Sequence, residues 1–83
     1  MQINEKTNYD ARTFTEIVRD VTGTSLYDDL RARLVRRTGS CERTVDNWLK
    51  GRTRPINSRH KYTVSRVISD LLGIKTSYVI LFP

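Results

Sequence analysis

The sequence predicts an all-α domain, a compact bundle of four to five short helices ending in a short strand or helix. Three observations predict it. Apolar residues recur at helical spacing in four stretches, and capping residues or glycines bound those stretches. The chain has 83 residues, of which 37% are hydrophobic and 29% charged, a balance that supports one small core and one domain.

The opening residues, with Asn4, Glu5, Lys6, Thr7 and Asn8 in series, are polar and aperiodic. Residues 1–9 are therefore expected to form a loose arm, and 10–83 the folded domain. Helix 1 is expected from about Thr13 to Val21, because Phe14, Ile17, Val18 and Val21 fall at i, i+3, i+4 and i+7 and Thr13 with Glu16 makes a capping box. Gly23 ends it. Helix 2 is expected to start at Ser25, whose hydroxyl serves as the cap, and to continue to about Thr38 on a stripe of Leu26, Leu30, Leu34 and Val35. Its opposite face carries arginines.

Gly39 stops helix 2, since a residue without a Cβ accepts a positive φ cheaply, and Ser40 is expected to cap the next helix. That helix runs from about Cys41 to Lys50, turns Val45, Trp48 and Leu49 inward, and ends at Gly51. A basic connector, Arg52-Thr53-Arg54-Pro55, follows. Helix 4 is expected from about Arg59 to Leu72, where Val64, Val67, Ile68, Leu71 and Leu72 hold helical spacing ahead of Gly73. The tail from Thr76 to Phe82 carries two readings, a strand favoured by Tyr78, Val79, Ile80 and Phe82, and a short capped helix.

Charge is unevenly distributed. The net charge is +6, yet residues 31–61 hold ten basic residues against two acids, Glu42 and Asp46, and the remainder of the chain is net negative. A basic footprint of that density suits a polyanion. With one cysteine, Cys41, and one histidine, His60, the chain has neither an internal disulfide nor the ligand count of a structural zinc site, so no metal or cofactor is expected. No long apolar run and no basic segment leading into an apolar stretch is present, so neither a membrane span nor export is expected, and the cytoplasm is the expected compartment. One Cys, one His and scattered acids assemble no catalytic set, so an enzyme is not expected. Cys41 is expected to be half-buried, Trp48 to lie in the core and His60 to lie on the surface.

Two helices joined by a Gly-containing turn, the second polar at its start and apolar at its back, form the helix-turn-helix pattern. Such a helix, about 10–12 Å across, fits the DNA major groove. From Thr38 through Gly39-Ser40-Cys41-Glu42-Arg43-Thr44-Val45-Asp46-Asn47-Trp48-Leu49-Lys50-Gly51-Arg52-Thr53-Arg54 to Pro55, the chain resembles the Cro and phage-repressor type (XRE-like) helix-turn-helix proteins. The resemblance extends to Leu71-Leu72-Gly73 and to Leu81-Phe82-Pro83. It departs from the family where helix 2 starts early and where the stretch from Pro55 to Gly73 is several residues longer than the family's.

The resemblance implies a lambda-repressor-like bundle whose base-reading positions fall on Glu42, Arg43 and Asn47. It implies that Ser40, Cys41, Thr44, Lys50, Arg52, Thr53 and Arg54 lie along the DNA backbone. The helix 2 arginines, Arg31 and Arg37 among them, are suited to brace that backbone as well. By chemistry, Arg43 suits guanine O6 and N7, Asn47 suits adenine, and Glu42 suits cytosine N4 or the helix dipole. The expected function is sequence-specific binding of double-stranded DNA by a small repressor-like transcriptional regulator of bacterial or phage type. A homodimer through the apolar segment Tyr78 to Phe82 is the expected assembly. The alternative is a protein-interaction module, such as an antitoxin or accessory regulator, using the same helices as a scaffold.

Overall fold

The computed structural model describes residues 9–83, so the arm expected over 1–9 lies, apart from Tyr9, outside the described residues. Five α-helices follow in order: α1 (Phe14–Val21), α2 (Ser25–Thr38), α3 (Glu42–Leu49), α4 (Ser58–Leu72) and α5 (Tyr78–Leu81). There is no strand among the described residues. The long helices α2 and α4 pack against each other as the central pair, with α1 and α3 against α2 and α5 against α4.

Each helix buries the stripe that its spacing dictates. Phe14, Ile17, Val18 and Val21 of α1 meet Leu30 and Leu34 of α2, Val45, Trp48 and Leu49 of α3, and Val64, Val67 and Ile68 of α4 in one cluster. Full burial of such side chains contributes roughly 1.5–3 kcal/mol each, which is how so short a chain sustains a core. Leu71 and Leu72 lie at its edge, partly buried.

The capping box at the start of α1 is present, with Thr13 N donating to Glu16 Oε1 at 2.8 Å and Glu16 N donating to Thr13 Oγ1 at 3.4 Å. At α2 the cap is Thr24, not Ser25: Thr24 Oγ1 accepts from Leu26 N at 3.2 Å, and Ser25 is already helical. The turn from α1 decides this, because the Thr24 backbone N–H and hydroxyl both donate to the Val21 carbonyl and pin Thr24 in the extended conformation of a cap. Leu26 was expected in the core stripe and is instead exposed at 36%, while its neighbour Tyr27 packs against the core.

The tail resolves as a helical turn. Leu81 N donates to the Ser77 carbonyl and Phe82 N to the Tyr78 carbonyl, each at 3.0 Å, the i to i−4 bonds of an α-helix, and both side chains are buried. The Phe82 ring lies 5.2 Å from that of Phe14, centroid to centroid. Phe82 therefore belongs to the core and leaves the expected pairing surface, on which only Tyr78 and Val79 remain clearly exposed. The segment before α1 is tied down as well. Asp10 N donates to the Lys75 carbonyl at 2.8 Å, and the Arg12 guanidinium bridges Asp10 and Asp20, each at 2.7 Å. The hydrogen bonds from Arg12 to the Asp10 carboxylate lower the Asp10 pKa to about 2.

Candidate nucleic-acid interface

The turn between α2 and α3 has three residues, 39–41, and its conformation is fixed by local bonds. Gly39 has φ +75° and donates its N–H to the Val35 carbonyl at 3.1 Å, an αL C-cap that costs a glycine little. Thr38 Oγ1 donates to the Leu34 carbonyl at 2.7 Å and accepts from Ser40 N at 3.1 Å. Ser40 is thereby held within the turn, and the N-cap of α3 falls on Cys41 instead, without a side-chain capping bond. Cys41 is exposed, not half-buried, and its sulfur lies 3.2 Å from Thr44 Oγ1. That hydroxyl, with the Thr44 and Arg43 backbone N–H groups, favours the thiolate and holds the thiol below its ordinary pKa.

Helix α3 has a buried back and a polar front. Val45, Trp48 and Leu49 are at most 6% exposed, and Trp48 is in the core as expected. Glu42 and Arg43 are exposed, while Thr44, Asp46 and Asn47 are half-buried. Arg43 and Asn47, one turn apart, share a face. Among the described residues the side chains of Arg43 and Asn47 have no hydrogen-bond or ionic partner, so both are available to a ligand.

The end of α3 sets the basic connector. Gly51, at φ +75°, donates to the Trp48 carbonyl at 3.1 Å, and Arg52 N donates to the Asn47 carbonyl at 2.9 Å. This pair of bonds is a Schellman motif, and it turns the chain back so that Arg52 and Thr53 follow closely on the last turn of α3. Lys50, Arg52, Thr53 and Arg54 are exposed, and Arg54 Nη1 donates to the Pro83 carbonyl at 3.2 Å. On α2, Arg37 and Arg36 are exposed and Arg33 is half-buried, all without an acidic partner among the described residues.

Arg31 is placed differently from Arg37. Its Nε donates to Asp46 Oδ1 at 2.6 Å and its Nη2 to Asp46 Oδ2 at 3.1 Å and to Glu42 Oε1 at 3.4 Å. The paired carboxylates hold the Arg31 proton more firmly, and Arg31 in turn keeps the Asp46 carboxyl below its usual range. The sequence reading missed this clamp between α2 and α3. A signal was present, because Arg31 and Asp46 each follow a core residue of the two packed helices, Leu30 and Val45, and so stand at the edge of the same seam. His60 was expected on the surface and is half-buried, its ring 5.9 Å from that of Trp48, because α4 begins at Ser58 and sets its first turn behind α3.

Among the described residues no three His, Cys, Asp or Glu side chains gather into a metal-holding group, and no helix is long and apolar enough to cross a membrane. No family model, curated protein or solved structure matches the chain.

Proposed function

We propose that this chain binds double-stranded DNA in a sequence-specific manner, with α3 in the major groove, and acts as a small repressor-like transcriptional regulator. The observation that carries the reading is the two-faced character of α3. Its back is sealed into the core by Val45 and Trp48, while the side chains of Arg43 and Asn47 stand together on the front without partners among the described residues. Those two side chain types are suited to bidentate pairing with guanine and adenine. The surrounding segment supplies the positive charge that a phosphate backbone requires, and the resemblance of residues 38–55 to Cro and phage-repressor type proteins points the same way.

Roles divide by chemistry. Arg43 and Asn47 read bases, and Glu42, still 71% exposed beside Arg31, accepts from cytosine N4. Lys50, Arg52, Arg54 and Arg37 neutralise phosphates, with Ser40, Cys41, Thr44 and Thr53 at the edges of the contact. Arg31 serves by holding α3 in place rather than by touching DNA. A module this small gains specificity by pairing two half-sites about one helical turn apart, so the reading extends to a homodimer with Tyr78 and Val79 at its contact.

The test compares two alanine variants on the preferred duplex and on a scrambled one across a range of salt. Arg43→Ala loses about 1–3 kcal/mol on the preferred duplex and relaxes the choice at one base pair. Arg52→Ala weakens both duplexes alike and lowers the salt slope by about one. Identical behaviour of the two variants contradicts the assignment of α3 as the reading helix.

A further inference from the structure

Behind the C-terminal end of α3 lies a cleft of about 300 Å³ between the start of α1, the connector after α3 and the C-terminal tail. We propose that this cleft is a binding site for a small aromatic anion, such as an aryl carboxylate or aryl phosphate. The volume is at the lower end of the range in which proteins hold small ligands. Its chemistry is mixed in the manner that such a ligand requires.

One side is apolar and aromatic. Phe14 and Phe82, already in ring contact, line it together with Trp48. They are core residues, so their positions are fixed before any ligand arrives. The lining also carries two cationic side chains, Arg52 and Arg54, and the hydroxyl residues Thr13 and Thr15. Arg52 has no acidic partner among the described residues. Among the described residues Arg54 is engaged by the Pro83 backbone oxygen at 3.2 Å, and an anionic ligand competes with that oxygen for the guanidinium. An aromatic body against the phenylalanines and a negative group on the two arginines satisfy both sides at once, whereas a neutral or purely ionic molecule satisfies one.

The assignment stands apart from DNA binding. Its consequence for a DNA-binding chain is direct, because an occupant draws Arg52 and Arg54 away from phosphates.

The experiment contains no DNA, so its failure leaves the DNA-binding reading untouched. The isotopically labelled chain is titrated with phenyl phosphate, and separately with benzyl alcohol and inorganic phosphate, while amide and indole resonances are followed. Trp48 is the single tryptophan, so its indole signal reports the cleft without ambiguity. Phenyl phosphate is expected to move the Trp48 indole, Gly51 and Thr53 signals saturably and to bind at least about tenfold more tightly than either control. Arg54→Met and Arg52→Met are each expected to weaken it about tenfold, and Arg52→Met, whose side chain has no partner among the described residues, is expected to leave the melting curve unchanged. Inorganic phosphate binding as tightly as phenyl phosphate, an unmoved Trp48 indole, or native affinity in both variants would overturn the proposal.

Discussion

The Arg31 guanidinium on α2 grips the Asp46 carboxylate on α3 through two hydrogen bonds of 2.6 and 3.1 Å, and the pair spans the seam between the two helices. The planar fork of arginine matches both carboxylate oxygens, so the bond fixes the angle of α3 as well as its distance. Arg31→Met and Asp46→Asn are each expected to lower the thermal midpoint, and the double variant to fall little further than either single one. Additive losses in that cycle would show that the two side chains act independently.

Gly39 tests the turn. It sits at φ +75°, and a Cβ built there meets nothing within 4 Å, so any cost of a side chain is conformational and not steric. Gly39→Ala is expected to destabilise by about 1–2 kcal/mol in urea unfolding, and Gly39→Asn by less, because asparagine tolerates the left-handed region better. Equal stability of the alanine variant and the native chain would contradict the turn as described.

Trp48 anchors α3 in the core. It is 5% exposed and faces His60 of α4, so its truncation opens a void that α3 and α4 cannot readily fill. Trp48→Ala is expected to cost roughly 3–5 kcal/mol, enough to unfold much of a domain this small. Chemical denaturation read by helical circular dichroism checks it.

Acid should weaken the fold in a defined window. Asp10 and Asp46 both have folded-state pKa values below their ordinary ones, Asp10 at about 2. The stability they contribute is therefore present above the unfolded carboxylate range and is lost as pH falls from about 4 towards 2. The urea midpoint should drop across that interval, and Asp46→Asn should flatten part of the drop. An unchanged slope in that variant would dissociate Asp46 from acid stability.

The helices were legible in the sequence because burial leaves a periodic trace. Phe14, Ile17, Val18 and Val21, or Val64, Val67 and Ile68, repeat with the helix and are the residues that the core holds. Which of two adjacent hydroxyl or thiol residues caps a helix leaves no such trace. Thr24 displaced Ser25 and Cys41 displaced Ser40 because bonds made by a threonine hydroxyl within each turn, Thr24 with the Val21 carbonyl and Thr38 with Ser40 N, chose the residue in extended conformation. The four-residue α5 is too short for periodicity to separate helix from strand, and the role of Phe82 depended on the ring of Phe14, 68 positions away in the chain. The outward pair Arg43 and Asn47 could be found from sequence, since it stands opposite Val45 and Trp48 on one helix. The Arg31 clamp and the cleft behind α3 could not be found by reading one helix, because each is built from elements distant in sequence.

The central claim is that α3 selects bases. Selection of bound sequences from a randomised duplex pool, repeated at low and at physiological salt, tests it most directly. The account predicts an enriched motif with two half-sites about one helical turn apart, whose binding survives physiological salt and whose preference narrows by one position in Arg43→Ala. Binding that enriches no motif and fades steeply with salt would contradict it, leaving only the attraction of a basic surface for a polyanion.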